Sequence, residues 1–216
     1  MQAQSQTDPP QVAWDGDGLV PCVMQDWATG EVLTLAYMNR EALDRTLDSG
    51  EMHFWSRSRQ ELWHKGETSG NTMRLRSLRY DCDADALLAL VDAAGPACHT
   101  GERTCFHRSI GAQAVAGHEA LPVLARTLAA RHRDMPDGSY TAELFRAGPE
   151  RMGAKVEEEA EEVARAGRQE SDERVREEAA DLLYHLGVVL EARGLTFADA
   201  LDVLVARMDS SATTTR

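Results

Sequence analysis

The chain has 216 residues, 43% of them apolar, and a formal charge of -13, enough length and apolar content for one large domain or two small ones. Both halves are acidic and no Lys/Arg-rich run is present, which argues against nucleic acid or an anionic membrane as the main partner; a polyphosphate substrate would need metal ions to screen it. Four cysteines in a chain this long are no disulfide framework, and with no apolar signal core or long spanning segment the expected compartment is the cytoplasm.

Residues 1–17 read as a disordered lead-in, polar through Gln11 with a Pro9-Pro10 pair. Residues 18–110 read as a strand-rich α+β domain. The apolar runs Leu19 to Met24 and Val32 to Met38 flank a turn-like Asp26-Trp27-Ala28-Thr29-Gly30 and suit a hairpin, with Cys22 as a buried core thiol. Asn39 is an N-cap for a short helix with Glu41 in its first turn and Gly50 at its end. Met52 to Trp55 is a strand; Met73 and Leu75 alternate with Arg74 and Arg76 as a half-buried strand; Leu87 to Val91 is a buried one.

Composition shifts at 111–118, read as a linker, and residues 119–210 carry an all-α signal. Leu121, Leu124, Ala125 and Leu128 keep helical spacing, and Pro136-Asp137-Gly138 is a turn. Pro149 opens a helix that runs to about Gly167. Ser171 caps the next helix, whose apolar face holds Leu182, Leu183, Leu186, Val189 and Leu190, and Thr196 with Asp199 starts the last.

Two constellations carry chemistry. Between Asp81 and Cys105, three thiols (Cys82, Cys98, Cys105) interleave with three aspartates (Asp81, Asp83, Asp85). Thiolates favour zinc and clustered carboxylates favour magnesium, so one segment offers ligands to both kinds of cation. The thiols lack the close pairs of a closed structural site, and three protein ligands leave one zinc position open for a water of lowered pKa. His99, beside Cys98, is a fourth ligand, a general base, or neither. In the helical half, Glu158, Glu159 and Glu162 crowd one helix while Glu178 and Asp181 lie three apart on the next. If those helices pack antiparallel, their carboxylates converge, and divalent cations are the natural compensation. Glu157 and Glu161 read as solvated, and Lys155 suits a helix ion pair with Glu158 or Glu159.

The first half resembles the phosphoribosyl-AMP cyclohydrolases of histidine biosynthesis. The likeness rests on Leu35-Ala36-Tyr37-Met38-Asn39, Ser56-Arg57-Ser58-Arg59, Leu62-Trp63-His64-Lys65-Gly66-Glu67-Thr68-Ser69-Gly70, the Asp-Cys-Asp-x-Asp run and the Cys-His-Thr-Gly loop. The second half resembles the phosphoribosyl-ATP pyrophosphatases, all-helical nucleotide pyrophosphohydrolases with Glu-Glu-x-x-Glu followed by Glu-x-x-Asp; Ser139-Tyr140-Thr141 and Asp181-Leu182-Leu183-Tyr184-His185 also fit. Together the resemblance spans about residues 18 to 210, in the order of the bifunctional fusion.

The resemblance implies that the helical half hydrolyses phosphoribosyl-ATP to phosphoribosyl-AMP and pyrophosphate, with magnesium on Glu158, Glu159, Glu162, Glu178 and Asp181. The other half would open the adenine ring between N1 and C6, with zinc on Cys82, Cys98 and Cys105, magnesium on Asp81, Asp83 and Asp85, and His99 moving a proton. The zinc thiolates come from two subunits in that family, which implies a homodimer. Arg57, Arg59, Lys65 and Ser69 are expected at substrate phosphates, Trp63 against a base, and Lys155 near the second substrate. Two departures stand out: Glu157 where many relatives have Gly, and Thr34 for the usual Met. Two other readings keep these residues: a general nucleotide-cleaning pyrophosphohydrolase fused to a cyclohydrolase, and a non-enzymatic zinc-stabilised module with a helical dimerisation domain.

Overall fold

Val20, Cys22 and Met24 alternate with Pro21, Val23 and Gln25, a period of two that puts every second side chain on one face of a sheet. A computed structural model of the chain, describing residues 12–111 and 115–213, makes this segment strand β1 (Val20–Asp26), with those three residues fully buried. Strand β2 (Val32–Met38) returns antiparallel to it, and the Asp26 carboxylate accepts the Ala28 and Thr29 N–H groups in the intervening turn. Asn39 caps α1 (Arg40–Ser49) by accepting from the Ala42 N–H at 2.9 Å; Gly50 ends the helix at φ 72°, the left-handed conformation that glycine adopts without strain.

Strands β3 (His53–Ser56), β4 (Glu61–His64), β5 (Met73–Tyr80) and β6 (Leu87–Ala93) complete a six-stranded sheet in the order β4-β3-β2-β1-β6-β5. Neighbours are antiparallel except β1 and β6. The core lies on one face, where Leu33, Met38, Phe54, Met73, Ala89 and Val91 meet Ala42 and Leu43 of α1. On the other face, Leu35, Val23 and Leu88 stand in register across β2, β1 and β6, and Leu35 is exposed.

The disordered lead-in expected over 1–17 does not extend over residues 12–17. Val12 is buried in the core, the Ala13 N–H bonds the Ala84 carbonyl at 2.8 Å, and Asp15 closes a turn by accepting the Leu19 N–H. An apolar side chain with a core vacancy to fill overrides the polar composition around it. Residues 1–11 and 112–114, the latter within the expected linker, lie outside the described residues.

Contacts divide the chain into two compact units, 1–114 and 115–216. The second is helical: α2 (Ala120–Asp134), α3 (Tyr140–Ala147), α4 (Pro149–Gln169), α5 (Asp172–Ala192) and α6 (Phe197–Thr213). Pro149 sits in the first turn of α4, and Ser171 caps α5 by accepting from the Arg174 N–H. Only Glu170 and Ser171 separate these helices, so they fold back antiparallel and form the most extensive helix interface. Leu128, Leu144, Met152 and Val188 form the core. Gly187 permits close approach: a Cβ there would lie 2.8 Å from Leu128 Cδ1 and 3.0 Å from Phe197 Cζ. The expected leucine face of α5 is therefore rotated. His185, Gly187 and Val188 are buried, whereas Leu183 is exposed, because the small glycine marks the line of closest packing.

Candidate active sites

In the first unit a cleft of about 650 Å³ opens beside β2 and the segment after β6. Cys98, Cys105, His99, Lys65, Ser69, Trp63 and Arg59 all line it. Cys98 and Cys105 reach it from a segment with no helix or strand of its own. The Ala97 and Cys98 N–H groups bond the Arg103 and Glu102 carbonyls, and the Cys105 N–H bonds the Leu33 carbonyl at 2.8 Å. The Thr100 hydroxyl donates to Cys98 Sγ at 3.1 Å and, with help from Cys105, holds the Cys98 thiol below its ordinary pKa. Desolvation pushes the Cys105 thiol up, and its contact with Cys98 adds to that. Two thiols in contact, one with its pKa lowered and one with it raised, form a donor pair suited to a soft cation.

Lys65 is buried at the same place. Burial lowers its pKa, opposed by the nearby Cys105 and Cys98 charges. Cys22, by contrast, is a core thiol pushed up to about 12 by burial. Trp63 lines the cleft and packs on Phe54, ring centroids 5.1 Å apart. Arg57 points elsewhere, its guanidinium 3.7 Å over the Tyr37 ring. Among the histidines, His99 Nδ1 is 3.9 Å from Cys98 Sγ. His107 donates to the Thr104 carbonyl, and His64 Nε2 lies 2.7 Å from Glu51 Oε2 but off the line of a hydrogen bond.

Cys82 is not in this cleft. It sits exposed in the β5–β6 turn, before the start of β6, whereas Cys98 follows its end; seven strand residues separate the turns by about 20 Å. Asp81, Asp83 and Asp85 share that turn, their carboxylates within 4.8 Å of one another, and Asp83 and Asp81 raise the Asp85 pKa by repulsion. A divalent cation relieves that repulsion.

In the helical unit the α4–α5 hairpin brings Glu159, Glu178 and Asp181 within 4.8 Å, with Glu159 and Glu178 buried. Lys155 Nζ reaches Glu159 at 2.8 Å and Glu158 at 3.0 Å; Arg174 pairs with Glu178. Glu158 and Glu162 stand outside the tight cluster, the first on Lys155 and the second on Arg165 at 3.3 Å. Next to the cluster, buried His185 donates from Nδ1 to the Asp181 carbonyl at 3.0 Å, which leaves Nε2 to accept the Tyr140 hydroxyl at 3.1 Å.

A family model for phosphoribosyl-AMP cyclohydrolase matches residues 34–107, and one for phosphoribosyl-ATP pyrophosphohydrolase matches 121–208. The histidine biosynthesis bifunctional protein HisIE of Bacillus subtilis is 50% identical over 198 residues, covering 91% of this chain and 95% of its own. The chain belongs to the HisIE family. That of Thermus thermophilus is 49% identical over 197 residues, covering 89% and 90%, and that of Halalkalibacterium halodurans 46% over 200, covering 91% and 95%. As a HisIE protein it is a bifunctional hydrolase for the second and third steps of histidine biosynthesis, the helical domain acting before the strand-rich one.

Against that HisIE background, two features escaped the sequence reading. Arg103, between two of the thiols, bonds residues more than 70 positions away. The Tyr140–His185 pair was visible only as part of a motif, and the burial of His185 beside Glu159 is a product of packing.

Proposed function

We propose that the two reactions divide between two metal-dependent centres of different construction, one in each domain. Glu159, Glu178 and Asp181, with Glu158 and Glu162 at the margin, hold magnesium for cleavage of phosphoribosyl-ATP. The convergence of three carboxylates, two of them buried, supports this. Magnesium bound there screens the phosphates and polarises the linkage that breaks. Lys155, which pairs with Glu159, would be within the same site to bind substrate phosphate.

Cys98 and Cys105 hold zinc together with Cys82 of a second copy, and Asp81, Asp83 and Asp85 hold magnesium. The observation that carries this reading is the split thiol set: two thiols face a cleft, and the third is exposed at the far end of β6. A homodimer completes the set, and the apolar row Leu35, Val23, Leu88 on the outer sheet face supports such an association. Zinc bound there supplies the Lewis acidity for hydrolysis at C6 of the adenine ring. His99 moves the proton, Arg59, Lys65 and Ser69 hold phosphate, and Trp63 stacks on the base. Arg57, whose guanidinium lies over Tyr37, would swing from that ring to reach substrate phosphate. Four free thiols support a cytoplasmic setting, and among the described residues no helix is long and apolar enough to cross a membrane.

The test is an assay of purified protein with phosphoribosyl-ATP, magnesium and trace zinc, following pyrophosphate and the ring-opened formimino product. Both products are expected. Turnover of ordinary ATP at a comparable rate would instead favour a general nucleotide pyrophosphohydrolase.

A further inference from the structure

The segment from Cys98 to Cys105 has to hold two sulfurs at a fixed separation without a helix or strand to do it. Its backbone bonds fix the ends, to Leu33 at Cys105 and across the small turn at Cys98. Between the ends stands Arg103. Its Nε donates to Glu31 Oε2 at 2.7 Å, and its Nη2 lies 3.1 Å from Asp26 Oδ2 and 3.3 Å from Thr29 Oγ1. Those acceptors belong to the β1–β2 turn. The carboxylates are largely buried, side chains 10% exposed for Asp26 and 12% for Glu31, and the other Asp26 oxygen is engaged by Ala28 and Thr29. A planar, forked cation holding two buried anions is a rigid cross-link.

We propose that Arg103 is a positioning residue that sets the separation of the Cys98 and Cys105 thiols by clamping their segment to the β1–β2 turn. It touches neither metal nor substrate and acts through the chain. The inference rests on the zinc assignment above for its consequence, and on geometry alone for the clamp.

The experiment compares wild type, Arg103→Gln and the triple variant Asp26→Asn, Glu31→Gln, Arg103→Gln, which leaves no buried carboxylate unpaired. Two affinities are measured on the full chain: zinc, by competition with a chromogenic chelator, and phenylarsine oxide on metal-free protein, which forms two As–S bonds with a close thiol pair and releases water. Arg103→Gln is expected to weaken both by about tenfold or more, the usual scale for a group that orients a ligand. The triple variant should regain thermal stability while both affinities stay weak. Wild-type affinities in either variant would overturn the clamp and leave Arg103 as charge balance for the turn. Zinc binding by wild type no tighter than by Cys105→Ala would instead sink the zinc assignment, and the arsenical comparison would still decide the clamp.

Discussion

The carboxylate site and the thiol site are built on opposite plans. The first is local: Glu159, Glu178 and Asp181 come from one helical hairpin with a two-residue connection, so any chain that folds the hairpin gathers the ligands. The second is dispersed: Cys98 and Cys105 meet at one end of β6 and Cys82 stands at the other. A strand is a rigid spacer, and no side-chain motion spans about 20 Å. The difference teaches that one chain gathers three carboxylates by local folding but brings together only two of its three candidate zinc thiols.

The sharpest way to break that comparison is to mix inactive protomers. Cys82→Ala and Cys98→Ala should each lose ring opening by about a thousandfold or more and keep pyrophosphate release. Mixed after dissociation, they should recover about a quarter of the wild-type ring-opening rate, because half of randomly reassorted dimers carry one intact site of two. No recovery in mixed dimers would refute thiol sharing. Next, Glu159→Gln should lower pyrophosphate release about a hundredfold or more while supplied phosphoribosyl-AMP is still opened; loss of both activities in a folded protein would end the division of labour.

A smaller effect tests whether the hairpin's packing is as tight as its ligand set. Gly187→Ala drives a methyl against Leu128 and Phe197 and should cost about 1–3 kcal/mol in denaturant unfolding of the helical domain. The smallest concerns pH. Lys155 holds the Glu158 pKa down, and Glu159 with Glu158 holds the Lys155 pKa up. For the carboxylate, stability is present above its unfolded pKa and lost as pH falls through its folded one; for the lysine it is present below the unfolded pKa and lost as pH rises through the raised one. With metal chelated, the stability gap between wild type and Lys155→Met should therefore be full near neutrality and shrink below about pH 4. A gap independent of pH would assign Lys155 to packing alone.

The same contrast governs what the sequence made legible. Features with a short-range cause were readable: the Asn39 cap and Gly50 stop of α1, Pro149 at the start of α4, and the Thr196–Asp199 start of α6, where Asp199 accepts the Thr196 N–H at 2.7 Å. The carboxylate cluster followed from helical spacing once the helices were taken as antiparallel, although spacing alone did not rank Glu159 above its neighbour Glu158. Strand β4, four residues long, and helix α3, eight residues behind a Ser139 cap, are too short for a period to show. Leu183 was misplaced because composition cannot reveal that Gly187 sets the contact line. The Arg103 clamp joins residues more than 70 apart, a relation that exists only after folding.

The bond from the Ala13 N–H to the Ala84 carbonyl bears on how this chain can be engineered. Ala84 holds a φ of 62° in the tip of the turn that carries Cys82 and the three aspartates. The residues just before β1 are thus a brace for that turn rather than spare length on which a tag can be grafted or a protease allowed to cut. A version trimmed past Ala13 should purify as a working pyrophosphohydrolase with a crippled cyclohydrolase, whereas fusions ending ahead of Val12 should leave both intact.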